Sequence, residues 1–144
     1  MKSIRFSLAS LLFVAIASVS VVQADVLNTS LFAKKINFTV SGYTGETTLA
    51  HFPVLVRLAT DSPDGFSYND CAADGSDIRF ADEEGKLIPH EIDTWDTNGT
   101  SLVWVSVPSL FGTASGKTTE FRAYYAPDLS SSLPAVSSDR KSVV

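Results

Sequence analysis

The run Asn98-Gly99-Thr100-Ser101-Leu102-Val103-Trp104-Val105-Ser106-Val107-Pro108 decides the fold class. Val103, Val105 and Val107 recur at every second position and share one face, leaving Leu102 and Trp104 on the other. A period of two belongs to a β-strand, whose successive side chains point to opposite faces. Asn98-Gly99 ahead of it is a hairpin signal, because both central positions of a type I′ turn need positive φ. Pro108 has no amide proton to give a ladder, so the strand is expected to end there. Trp104, set between valines in a central-looking strand, reads as core.

The same period extends outward from this strand. Ile36, Phe38 and Val40 alternate with polar residues in Lys35–Ser41, and Phe52, Val54, Val56 and Leu58 share a face with Arg57 opposite. Asp77-Ile78-Arg79-Phe80 is a short alternating run, Glu84-Gly85 marks a tight turn, and Lys86–Trp95 follows. Pro89 inside that run predicts an edge position or a bulge. Thr119–Tyr125 closes the set, and Phe66–Gly75, which contains Cys71, reads as a surface loop. Beyond the first 24 residues no window has helical spacing. Short strands separated by turns at even intervals predict an all-β fold, an antiparallel two-layer β-sandwich of jelly-roll-like type.

The chain of 144 residues divides into three parts. Residues 1–24 read as a signal peptide: Lys2 and Arg5, an uncharged apolar run from Phe6 to Val22, then small residues at Val22 and Ala24. The alternative, an uncleaved anchor, has an apolar run near the lower limit for spanning and no basic cluster after it. Residues 25–127 form the expected sandwich domain. Residues 128–144 are Ser- and Pro-rich, the composition of a linker or of a truncated C-terminus.

Charge and cysteine content narrow the function classes. The net charge is −5, and removing Lys2 and Arg5 with the leader makes the domain more acidic still, which argues against nucleic acid as a partner. A single cysteine excludes an intrachain disulfide and any multi-cysteine metal site. The expected compartment is secreted or extracytoplasmic, with no membrane insertion after cleavage of the leader.

Gly75–Asp82, Leu87–Trp95 and Leu102–Pro108, together with Lys34-Lys35-Ile36, Phe52–Val56 and the aromatic pair Tyr124-Tyr125, resemble the DUF2341 family of exported bacterial and archaeal proteins. The resemblance covers about residues 32–126. It departs at Ala126, where the family has glycine after the aromatic pair. It implies an all-β sandwich, often beside lectin-like or glucanase-like modules in large surface proteins, and it brings no established catalytic residue.

Glu91-Ile92-Asp93-Thr94-Trp95-Asp96 is similar to the Glu-x-Asp-x-x-Glu signature of laminarinase-type glycoside hydrolases. Glu91 and Asp93, two apart on a strand, lie about 7 Å apart on one face. A retaining glycosidase needs its two carboxylates about 5–5.5 Å apart. The acid position falls on Trp95 or Asp96, and neither is a glutamate. Asp70, Asp74, Asp77 and Asp82 around Gly75 suggest calcium, but an EF-hand alignment places Ala72 and Ala81 at ligand positions. A looser calcium site at Asp74 and Asp77 competes with ordinary Asx-turn chemistry. His51 and His90 lack cysteine partners for zinc. Trp95, near a hairpin end, is the surface aromatic expected to stack on a sugar, with Glu91 and Asp93 beside it.

The expectation is therefore a non-catalytic recognition or architectural module without a cofactor. Its partners would be polysaccharide or cell-surface components. The alternative is a partial or degenerate glycoside hydrolase using Glu91.

Overall fold

The computed structural model describes residues 26–128 and Leu133. The signal peptide expected at 1–24 and nearly all of the tail expected at 128–144 lie outside the described residues.

Among the described residues, seven strands make two antiparallel sheets. One sheet has four strands in the order β1 (Phe32–Val40), β7 (Thr119–Pro127), β3 (Arg79–Ala81) and β4 (Leu87–Ile88). The other has three, β2 (Leu49–Leu58), β6 (Ser101–Leu110) and β5 (His90–Thr94). The alternation read in the sequence explains why the sheets pack. Val103, Val105 and Val107 point inward from β6, Val56 and Leu58 from β2, and they meet Ile36, Phe80, Phe121, Ala123 and Tyr125 of the facing sheet. Phe38 stacks on Phe121 with ring centroids 5.1 Å apart. This apolar layer, removed from water at about 25 cal/mol per Å², is the main force joining the sheets.

Pro89 separates β4 from β5, and those two strands belong to different sheets. The proline is thus the corner at which the chain changes layers. Both neighbours are edge strands, so the missing amide costs no ladder bond. The Pro89 carbonyl still accepts from the Ser106 amide at 2.9 Å.

Several sequence expectations change here. Pro108 does not end β6, which runs on to Leu110 beside the outer strand β2. Pro108 lies opposite His51, an edge-strand residue with φ of +49° that breaks the regular ladder at that point. Asn98-Gly99 does not form a type I′ turn, because neither residue has positive φ. Asp96 organises the connection instead: its carboxylate accepts from the Asn98 amide at 2.9 Å, and its own amide donates to the Ser101 hydroxyl at 2.9 Å. The segment Phe66–Gly75 is not a surface loop throughout, since Phe66 and Tyr68 are buried in the core. The Tyr68 hydroxyl donates to the Leu58 carbonyl at 2.6 Å, lies 2.8 Å from the Ser101 hydroxyl, and accepts from the Ser101 amide at 3.1 Å. Ala126, where the resembling family has glycine, takes φ of +54°, a conformation in which glycine is unstrained.

The two outer faces of the sandwich differ. On the four-stranded sheet, Tyr124 and Ala81 are buried beneath Leu27 and Phe32, with Leu31 and Leu133 packed at the margin. The Leu27 amide fixes this cover by donating to the Gly85 carbonyl at 2.8 Å. Among the described residues nothing comparable covers the three-stranded sheet.

Candidate functional site

The uncovered face is a small grid defined by strand register. Leu55 of β2 and Glu91 of β5 both pair with Trp104 of β6, forming its middle row. Pro53 pairs with Ser106 on one side of that row, and Arg57 pairs with Leu102 on the other. Trp104 is 42% exposed and Leu55 41% exposed. The inward reading of Trp104 is therefore corrected. Its neighbours Val103 and Val105 fill the core, and a strand sends the residue between them to the opposite face.

His51, Pro53, Pro89, Glu91, Trp104 and Ser106 border a shallow depression of about 270 Å³ on this face. Its chemistry is mixed: an indole face, proline rings, a hydroxyl at Ser106 and a carboxylate at Glu91. The backbone holds these groups in place, because β6 is the central strand and is bonded on both sides.

The other candidates are placed differently. Trp95 lies in the loop after β5, half-buried, with its ring perpendicular to Tyr68 at 5.4 Å between centroids. Gly75 (φ +71°) abuts the same ring, and a Cβ added there would lie 2.6 Å from it. Trp95 is thus seated against the body of the domain and does not share the face of Glu91. Its indole nitrogen is buried and has no hydrogen-bond partner among the described residues. Asp93 is exposed at a β-bulge between Ile92 and Thr94, and its carboxylate accepts from the Thr94 hydroxyl at 3.1 Å. That bulge interrupts the simple two-residue repeat from which a shared face with Glu91 was read.

Asp77 is buried at 7% exposure and accepts from the Ala72 amide at 2.8 Å. Asp74 is exposed and accepts from the Ser76 amide at 3.0 Å, and its bonds to Ser76 hold its carboxyl below the ordinary range. Both aspartates are engaged in turn chemistry. No group of three or more metal-ligating side chains occurs among the described residues.

His90 points inward from the strand that carries Glu91, edge-on to Phe80 at 4.9 Å. Burial lowers its pKa to about 4, so the ring is neutral near pH 7. Cys71 is half-buried, and burial pushes its thiol up to about 12, leaving almost no thiolate at neutral pH. A second depression of about 320 Å³ lies at one edge of the sandwich near Asp82, Glu84, Lys86 and Phe121. Asp82 is committed there to the β3–β4 turn, accepting from the Glu84 and Lys86 amides.

Sequence reasoning placed Glu91 in the candidate set but missed Leu55, Pro53, Ser106 and Trp104. The signal for Trp104 was already present in the strict alternation of Ser101–Val107.

No helix among the described residues is long and apolar enough to cross a membrane. No curated protein and no solved structure matches the chain. Residues 74–139 match a family model, a stretch that takes in β3 to β7 and leaves out the Lys34–Ile36 and Phe52–Val56 segments. That model is DUF2341, a domain of unknown function, so the match supports the resemblance read from the sequence over this stretch of the chain.

Proposed function

We propose that this domain is a non-catalytic recognition module that binds polysaccharide through the outer face of its three-stranded sheet. It would act outside the cytoplasm as one module of a larger surface protein. The observation that carries the reading is Trp104, an exposed indole at the middle of a rigid grid with apolar Leu55 on one side and Glu91 on the other. An exposed tryptophan is an unusual surface residue, and its flat apolar ring suits the C–H face of a pyranose. Polar groups at the ring's margin then meet the sugar hydroxyls.

The non-catalytic reading is supported by the surroundings of Glu91. Asp93, the second carboxylate of the hydrolase-like signature, sits at a bulge and accepts from Thr94. Glu91 serves better here as a fixed acceptor than as half of a catalytic pair.

The test is retention on a panel of insoluble polysaccharides and soluble oligosaccharides, comparing the parent with Trp104→Ala. Loss of the aromatic face is expected to weaken binding about tenfold, or about 1.4 kcal/mol. Equal binding by both proteins, or no binding across a broad panel, would overturn the proposal. Release of reducing sugar by the parent but not by Glu91→Gln would establish the hydrolase alternative.

A further inference from the structure

We infer that Asn98-Gly99, in the connection between β5 and β6, is a site of spontaneous deamidation whose rate is held down by Asp96. The inference is independent of the sugar-binding reading. In the reaction the Gly99 main-chain nitrogen gives its proton to hydroxide and attacks Cγ of the Asn98 side chain. The new N–Cγ bond closes a succinimide ring, and the Cγ–Nδ2 bond breaks as the side-chain nitrogen takes a proton and leaves as ammonia. Water then opens the ring at either carbonyl, leaving an aspartyl or an isoaspartyl link at position 98. Nothing is oxidised or reduced, and no enzyme is needed.

Among the asparagines of the chain, only position 98 combines the features this chemistry needs. Asn98 and Gly99 are both exposed, and the Asn98 side-chain amide has no hydrogen-bond partner among the described residues. Gly99 has no side chain to shield its nitrogen. By contrast, Asn28 precedes Thr29, and its side-chain oxygen accepts from the Ser30 amide at 3.3 Å and the Ser30 hydroxyl at 2.7 Å. Asn37 precedes Phe38 within β1 and accepts from the Arg122 Nε at 3.2 Å. Asn69 precedes Asp70 inside a short 3-10 turn. What restrains position 98 is Asp96. Its carboxylate accepts from the Asn98 amide at 2.9 Å, and its carbonyl accepts from the Gly99 amide at 3.3 Å. A Gly99 N–H aimed at that carbonyl cannot present its nitrogen to Asn98 Cγ, so the turn must open before the ring can close. Ring opening then adds a negative charge to the loop, and the isoaspartyl form lengthens its main chain by a methylene.

The test incubates the purified protein in mildly alkaline buffer at physiological temperature and follows each asparagine by peptide mass mapping. Asp64-Gly65 and Asp74-Gly75 can form the same ring but without a change in mass, so the mass gain reports asparagine alone. Conversion is expected at position 98 before any other, and Asn98→Gln should abolish it. Asp96→Ala is expected to convert about fivefold faster, the change that about 1 kcal/mol of lost turn restraint produces. Asp96→Ser, whose hydroxyl can still accept from the Asn98 amide, should recover part of the restraint. No conversion of the folded parent at position 98, or earlier conversion at Asn28, Asn37 or Asn69, overturns the site. Equal rates in the parent and Asp96→Ala, or equal rates in the serine and alanine variants, overturn the part given to Asp96.

Discussion

Trp95 and Trp104 stand nine positions apart and live in opposite environments. Trp95 leaves the end of β5 in a loop, yet its ring is seated against Tyr68 and Gly75. Trp104 lies in the middle of the central strand of its sheet and is 42% exposed. Residue type and apparent position point the other way in both cases, since a tryptophan amid valines suggests core and one beside a turn suggests surface. Strand geometry explains Trp104, because a residue between two inward valines must face outward. Trp95 is explained only by a neighbour twenty positions earlier, where the missing side chain of Gly75 leaves room for an indole. The lesson is that phase along a strand outranks hydrophobicity as a guide to burial, whereas for a loop residue neither suffices.

The most severe way to break this contrast is Gly75→Ala. The new Cβ would meet the Trp95 ring at 2.6 Å, and alanine disfavours the φ of +71°. The left-handed conformation costs about 1–2 kcal/mol and the overpacking about 1–3 kcal/mol. A loss of about 3 kcal/mol in urea unfolding is expected, with Trp95 emission moving to longer wavelength. Unchanged stability would mean that the ring is not held against Gly75.

His90 and Glu91 sharpen the contrast at adjacent positions, one facing the core and one facing water. Burial, aided by the nearby charge of Arg79, lowers the His90 pKa from 6.5 to about 4. Between those values the unfolded chain binds a proton that the folded chain refuses. Stability is therefore full above pH 6.5 and falls as the pH drops toward 4, by up to about 3 kcal/mol at about 1.4 kcal/mol per unit. Urea midpoints across this range should show that slope, and His90→Gln should remove most of it. A slope that survives in the variant would locate the acid sensitivity elsewhere.

The smallest effects come from exchanging the two tryptophans themselves. Trp95→Ala is expected to cost about 2 kcal/mol, less than a fully buried tryptophan because the ring is only half covered. Trp104→Ala should fall within about 0.5 kcal/mol of the parent, as exposed substitutions do. Single-tryptophan variants supply the spectroscopic counterpart. Trp104 alone should be quenched freely by acrylamide, and Trp95 alone should be protected. Equal quenching would erase the distinction.

Much of the sandwich was legible in the sequence because alternation is local. The inward sets on β1, β2, β6 and β7 follow from counting in twos, and the turn at Glu84-Gly85 follows from a glycine with φ of +82°. Turns and strand ends were less legible. Asn98-Gly99 does not form the expected type I′ turn, because Asp96 and Ser101 satisfy the loop's amides by another route. Pro108 stays within β6 because its partner β2 is an edge strand with an irregular residue opposite. Of the candidate site, Glu91 was visible through its acidic neighbourhood. Leu55, Pro53 and Ser106 were not, since they come from strands far apart in the chain and carry no motif.

Sequence by itself determined that the chain pleats into strands, which side chains each strand turns to the same side, and that the domain is acidic. These are properties of neighbours within a few residues, and the two-residue repeat records them directly. Only the tertiary structure decided which outer face stays open. That depends on the segment from Leu27 to Phe32 folding over one sheet and leaving the other bare, an outcome fixed by packing between distant parts of the chain.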